Sequence, residues 1–327
     1  MKYRILGKTN FKISEVSLGT WQLGGKWGEK FDPAIAEEIL DKAIETGINF
    51  IDTADVYNDG QSETAIGKFL KKVSTRIYIA TKCGRKLNPH TAEGYNRKNI
   101  TRFVEDSLKR LNVEALDLIQ LHCPPTEVYY RQEAFEVLED LKMNGKILHY
   151  GVSVQKVEEA LKAVEQPGVA SVQIIYNMFR LRPAEDFFEA ADLKNVGIIV
   201  RVPLASGLLT GKFSKKTIFS KGDHRNFNRE GKFFDKGETF SGVPYDIGLE
   251  AVEELKNIFD TRDISLNALK WVLSNEYVTC LIPGASRWDQ VEANSKVSSL
   301  PLISSEKADR VEAVYKKYIK EHVHHLW

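Results

Sequence analysis

The feature that most limits the fold is a rhythm. Short apolar runs alternate with amphipathic helical stretches along the chain, the runs falling at 16–19, 48–52, 76–82, 116–121, 147–152, 170–175, 197–202 and 279–283. Most are continuously apolar rather than alternating, which suits strands buried on both faces of a parallel sheet. The intervening stretches 34–46, 97–111, 132–143 and 155–165 place apolar residues three and four apart, and Gly47 and Gly145 supply stops after two of them. Eight strands in this alternation predict a single α/β domain over residues 1–327, a (β/α)8 TIM barrel with an N-terminal hairpin within residues 2–15, a long loop after the seventh strand and extra C-terminal helices. A doubly wound sheet is the alternative, but no Gly-x-Gly-x-x-Gly turn follows the first strand.

Composition narrows the function. A net charge of +1 argues against nucleic acid or an acidic membrane surface as the main partner. No apolar run is long enough to span a bilayer, and the start lacks the apolar core of a signal peptide. Three cysteines do not form a disulfide framework, so a reducing, cytoplasmic setting is expected.

Three runs end on ionisable residues: Asp52, with Tyr57 just beyond it, Lys82 and His122. In a parallel barrel, strand C-termini converge on one site. A lysine ammonium beside a phenol favours the phenolate, a carboxylate keeps the lysine charged, and an imidazole can hold an oxygen or pass a proton. Taken singly, Asp52 and Lys82 read better as a barrel salt bridge, and Tyr57 and His122 as satisfied core residues. Together they describe a site that exchanges a proton with an oxygen. A Schiff-base Lys82 is opposed by a nearby Asp52, which favours the protonated amine. Cys83 and Cys123 read as packing residues, because neighbouring strand residues face opposite ways.

A second cluster, Pro283 to Asn294, follows the eighth strand. Gly284 permits close backbone approach, and Ser286 with Arg287 at a helix start suits a phosphate. Pro203-Leu204-Ala205-Ser206-Gly207 after the seventh strand strengthens that reading, since barrel phosphate sites gather there. The segment from Gly207 to Pro244 is long and basic, with Lys212 and Arg225 among its cations, and reads as a flap over an anionic ligand. Trp21, Trp27 and Trp327 suggest an aromatic pocket, and the histidine-rich C-terminus is expected to fray rather than bind metal.

These stretches carry a resemblance over essentially the whole chain. Leu18-Gly19-Thr20-Trp21, Asn49 to Tyr57, Ala80-Thr81-Lys82, Gln120-Leu121-His122, Gly151-Val152-Ser153, Gln173 to Asn177, Pro203 to Lys212 and Pro283 to Asn294 resemble the aldo-keto reductase superfamily. The likeness is to the branch with bacterial general-stress reductases and potassium-channel β subunits. It implies a barrel that binds NADP(H) without a Rossmann domain and reduces a small aldehyde or ketone. An NADP(H)-binding regulatory or sensor subunit is the alternative. By that resemblance Tyr57 is the general acid, Lys82 lowers its pKa, Asp52 holds Lys82 and His122 orients the carbonyl, with Trp21, Tyr57 and His122 lining the substrate site. Cofactor contacts would involve Gly19, Thr20, Trp21 and Asp52, with Ser153 and Gln173 at the carboxamide. Arg201 stands where many relatives stack a tyrosine on the nicotinamide. Pro203, Leu204, Ser206, Gly207, Leu208, Thr210, Gly211, Lys212 and Arg225 would serve the pyrophosphate region. Gly284, Ser286, Arg287, Gln290 and Asn294 would serve the adenosine and 2′-phosphate. Val154 and Ala293 depart from residues common among relatives.

Overall fold

The computed structural model describes residues 1–26 and 28–327. Ten strands are present among them. β1 (Tyr3–Ile5) and β2 (Lys12–Ser14) form an antiparallel hairpin. β3 (Leu18–Gly19), β4 (Phe50–Asp52), β5 (Tyr78–Cys83), β6 (Leu116–His122), β7 (Ile147–Ser153), β8 (Val169–Ile175), β9 (Gly197–Arg201) and β10 (Val278–Leu281) form one parallel sheet in chain order. The sheet closes on itself. Ser17 N donates to the Leu281 carbonyl at 2.9 Å, Leu281 N to Glu15 O at 3.0 Å and Gly19 N to Pro283 O at 3.1 Å. Every strand edge of this eight-stranded sheet is thereby paired, which is the expected (β/α)8 barrel. The strand runs read from the sequence fall on these strands within one or two residues, except that the first regular ladder shrinks to Leu18–Gly19.

The helices start and stop where local chemistry dictates. Asp32 accepts from Ala34 N at 2.8 Å and Pro33 follows it, opening the helix Pro33–Glu45. Asn96 accepts from Asn99 N at 3.1 Å to open Arg97–Leu111, which turns Ile100, Phe103, Val104, Leu108 and Leu111 onto the barrel.

The barrel interior is divided in two. At the N-terminal end, Phe50, Ala80, Leu118, Ile199 and Cys280 pack with Leu6 and Ile13 of the hairpin into a closed apolar plug. Phe11 seals it by stacking on Tyr78 at 4.4 Å. The hairpin turn reaches this position because Gly7 has φ +47° and touches Gly197 at the start of β9; a Cβ there would sit 2.4 Å from Gly197 N. Above the plug the inward side chains become polar. Register carries Asp52 opposite Ala80, Lys82 opposite Gln120, and His122 opposite Ser153, which in turn faces Gln173. The dry floor therefore supports a polar layer at the C-terminal mouth.

The C-terminus departs from the frayed tail expected of it. Trp327 is buried, its indole donates to Asp235 Oδ2 at 3.2 Å, and its carbonyl accepts from Arg182 at 3.0 Å. His324 lies 3.0 Å from the Tyr315 hydroxyl and 3.4 Å from Glu185. Burial of the terminal tryptophan outweighs the chain-end entropy that usually loosens a tail. Trp327 thus packs under Arg180, its ring 4.4 Å from the guanidinium, instead of joining Trp21. Trp27 lies outside the described residues.

Candidate active site

β4 and β5 build the centre of the mouth. Lys82 Nζ donates to Asp52 Oδ1 at 2.5 Å, to the Thr53 carbonyl at 2.9 Å and to the Tyr57 hydroxyl at 3.2 Å. Both Asp52 and Lys82 are only 1 % exposed. Asp52 Oδ2 accepts from Gln173 Nε2 at 2.7 Å and from Gln120 Nε2 at 3.3 Å. A buried ion pair is tolerable only when its remaining donors and acceptors are met, and three strands meet them here. Thr20 steadies the same corner: its backbone N and hydroxyl both donate to the Asp52 carbonyl, at 3.0 and 2.9 Å.

Tyr57 follows β4 on a short turn in which Asn58 and Asp59 take left-handed φ values of 47° and 53°. The turn folds the ring back over Lys82, with the ammonium 4.9 Å from the ring centre. Trp21 stacks on Tyr57 at 6.2 Å, and His122 meets it edge-on at 6.1 Å.

The electrostatics sort these groups by protonation state. Burial works against the charge on Lys82, but Asp52 and Tyr57 outweigh it and raise the lysine's pKa, so the amine stays protonated. Burial also raises the Tyr57 pKa. The Lys82 ammonium opposes that rise without reversing it. Lys82 thus acts in the expected direction, lowering the phenol's pKa, while loss of solvent is the larger effect. Tyr57 is a neutral phenol held against a cation. His122 is held well below its ordinary pKa by burial first, then by Arg85, Lys82, Arg201 and His90. It is a neutral imidazole, and its Nδ1 is buried without a hydrogen-bond partner.

The remaining candidates lie around this centre. Ser153 and Gln173 are buried at the ends of β7 and β8. Arg201 ends β9, its Nη2 donating to the Val154 carbonyl at 3.0 Å and Gln155 Oε1 at 2.8 Å. Beyond it Val202, Ala205, Ser206 and Gly207 all have positive φ, from 47° to 93°. For a β-branched valine this is strained backbone, held here by Asn177 Nδ2 on the Val202 carbonyl at 2.9 Å. Within this run the Ala205 and Gly207 N–H groups turn back onto the Val202 and Leu204 carbonyls, at 3.0 and 2.9 Å. Leu208 is wholly buried. Thr210 caps the turn onto Gly207 O at 2.7 Å, and Lys212 pairs with Asp263 at 2.9 Å. Arg225 is fixed by Asp223, lies over Phe219 at 4.7 Å and reaches Ser206 O at 3.4 Å. Past β10, Gly284 is exposed, Ser286 hydrogen-bonds Gln290, and exposed Arg287 is held by Asp289 at 2.9 Å.

Five participants escaped the sequence reading. Gln120 was passed over beside His122. Arg85, Gln155, Glu238 and Arg180 form a second polar group: Glu238 pairs with Arg85, accepts from Gln155 Nε2 at 2.7 Å and lies 3.8 Å from Arg201, while Arg180 donates to the Gln155 carbonyl at 2.5 Å. Burial opposes the Glu238 charge, but Arg85 and Arg201 hold its pKa down to about 2. Cys123, taken as packing, sits at the mouth with its sulfur 3.5 Å from Ser153 Oγ and 3.7 Å from Arg201. The signal for Arg85 was its place three residues beyond Lys82.

A family model described as the aldo/keto reductase family matches residues 15–316. The chain belongs to the aldo/keto reductase family. It is 30% identical to the aldo-keto reductase YhdN of Bacillus subtilis, over 94% of this chain and 92% of that one. It is 31% identical to a probable voltage-gated potassium channel subunit beta of Arabidopsis thaliana, over 96% of each. A solved aldo-keto reductase from Bacillus halodurans, in holo form, superposes with a TM-score of 0.77 at 30% identity, covering 96% of each chain. An oxidoreductase built on this barrel is the coarse assignment.

If the Asp52–Lys82 pair organises the mouth, removing one partner costs more than removing both charges. Lys82→Met is expected to lower stability by about 3–5 kcal/mol, because Asp52 is left buried without its cation. Asp52→Asn in the Lys82→Met background should recover part of that loss. Urea denaturation of the three chains measures it; a double variant no more stable than Lys82→Met contradicts the coupling.

Proposed function

We propose that this aldo/keto reductase family member reduces an aldehyde or ketone to an alcohol with NADPH, and that Tyr57 donates the proton. The observation that carries the reading is the Tyr57 hydroxyl 3.2 Å from a charged Lys82, which is itself 2.5 Å from Asp52. Reduced nicotinamide, when bound, supplies the hydride to the carbonyl carbon. The carbonyl oxygen gains negative charge as that happens, and Tyr57 O–H delivers a proton to it. The tyrosinate left behind is stabilised beside the Lys82 ammonium until solvent restores its proton. Neutral His122 stands at the same mouth and can hold the carbonyl oxygen by hydrogen bond without adding charge. Trp21 and Tyr57 give an aromatic wall to the substrate site.

The residues beyond the strand ends fit a dinucleotide phosphate. The strained turn after β9 would bring its backbone close to the pyrophosphate, with Arg225 beside it. Exposed Gly284 and Arg287, with Ser286 between them, lie at the start of the helix Trp288–Ser295, where a 2′-phosphate would gain from both dipole and guanidinium. Ser153 and Gln173 would hold the carboxamide, and Arg201 would serve the nicotinamide. A second reading, a cofactor-binding regulatory subunit, is favoured by the channel-subunit relative; the complete proton-transfer group supports the enzyme.

Tyr57→Phe keeps the ring and removes the donor. It should lower turnover by roughly a hundredfold or more while NADPH binding stays within a few fold, by steady-state kinetics and fluorescence titration. Near-normal turnover contradicts the proton-donor role. Arg287→Ala should weaken NADPH binding much more than NADH binding; equal losses remove Arg287 from the 2′-phosphate.

A further inference from the structure

The turn that carries Tyr57 begins on a carboxyl group with no partner. Asp55 is fully buried, and among the described residues neither of its carboxyl oxygens has a hydrogen-bond donor. Asp52, three residues earlier, is as deep but accepts from Lys82, Gln173 and Gln120. A buried carboxylate without donor or cation is among the costliest arrangements a fold can hold, and taking up a proton relieves it.

Nothing that faces Asp55 supplies the missing charge. Glu63, on the helix Gln61–Leu70, is also fully buried and adds a like charge; its own oxygens are met by Arg110 Nε at 2.6 Å and the Thr81 hydroxyl at 2.5 Å. Cys83 on β5 and Tyr95 stay protonated, because burial raises both pKa values and the Asp55 charge raises them further. The cations whose fields reach Asp55 are Arg110, which is bound to Glu63, and Lys86, which pairs with Asp59 at 3.2 Å. Burial first and Glu63 next therefore raise the Asp55 pKa from 3.8 to about 7, against the pull of Lys86 and Arg110.

Asp55 and Asp59 stand at the two ends of the turn that folds Tyr57 over Lys82. The near end is tied down: Asp55 N donates to the Lys82 carbonyl at 3.2 Å, and Tyr57 N to the Ala54 carbonyl at 3.1 Å. The far end is looser. Asn58 and Asp59 have left-handed φ, and the Asp59 side chain is 94 % exposed, so its pair with Lys86 adds little. Once Asp55 ionises, Lys86 is the cation that can change partners, since Arg110 is engaged by buried Glu63. Bringing Lys86 and Asp55 together breaks the pair with Asp59 and shifts the residues between them, Tyr57 included.

We propose that Asp55 is a positioning residue for the proton donor: neutral, it lets the turn seat Tyr57 against Lys82, and ionised, it draws the turn towards Lys86 and unseats the phenol. The proposal rests on the proton-donor reading of Tyr57.

The test is the pH dependence of NADPH oxidation in a single turnover with an aldehyde. The rate is expected to fall about tenfold or more as one proton is lost near pH 7. Tyr57 and His122 cannot produce that fall, since one is raised above its ordinary 10.0 and the other held well below 6.5. Asp55→Asn, neutral at every pH, should abolish the fall and keep the rate of the acid form. Glu63→Gln removes a like charge and should move the midpoint about one pH unit lower. A wild-type rate that is flat across this range, a fall that persists in Asp55→Asn, or a midpoint that Glu63→Gln leaves in place overturns the proposal. A chain that turns over no aldehyde counts against the reductase reading alone. NMR of the chain isotopically labelled at tyrosine Cζ then decides the proposal without turnover. The Tyr57 signal, identified by its loss in Tyr57→Phe, should shift with the same midpoint in the wild type and stay fixed in Asp55→Asn; a wild-type signal that stays fixed overturns it.

Discussion

The buried contact between Lys82 and Asp52 is the constraint on which the mouth of this barrel depends. Removing two charges from water costs several kcal/mol each, and their attraction offsets this only in good geometry with other bonds satisfied. That requirement dictates much of what surrounds them. Gln120 and Gln173 must reach in from β6 and β8, the Thr53 carbonyl must face inward, and Thr20 must fix the end of β4. The apolar plug beneath, closed by the N-terminal hairpin, excludes water from below and leaves the pair a single open side. Tyr57 stands on that side. A phenol that burial keeps protonated and a cation that can receive its conjugate base form a proton donor that needs little rearrangement to act.

Around this balanced centre the rim is electrostatically lopsided. Arg85, Arg180 and Arg201 are drawn from the segment after β5, the segment after β8 and the end of β9, and their nearest carboxylate comes from the long segment after β9. Glu238 therefore ties that segment to the mouth by charge. Because its pKa is depressed, this tie holds fully above the ordinary carboxylate pKa of about 4.5 and weakens only as pH falls towards about 2. The aromatic wall and the arginine rim give the site an apolar side and a cationic side, with the proton donor between them.

Much of this was legible in the sequence, for identifiable reasons. Continuous apolar runs identified the barrel strands because both faces of a parallel sheet are buried, and Asp52, Lys82 and His122 stood out because each ended such a run. What was not legible depended on contacts between distant segments. Nothing local in Glu238 marks it as the partner of Arg85, 153 positions away. Gln120 reads as an ordinary strand residue until Asp52 is seen to need a second amide donor. The tail looked loose from its histidines, whereas Trp327 finds a cation and a carboxylate to pack against. The lysine's pull on the phenol could be inferred from strand order, whereas the depth of burial that opposes it could not.

The most direct test of hydride transfer at this mouth is isotopic. The protein would be incubated with an aldehyde and NADPH carrying deuterium at both C4 positions of the dihydronicotinamide, and the alcohol analysed by mass spectrometry. One deuterium on the carbinol carbon is the predicted result. An alcohol formed without deuterium, or no alcohol from any aldehyde although NADPH binds, would contradict the account.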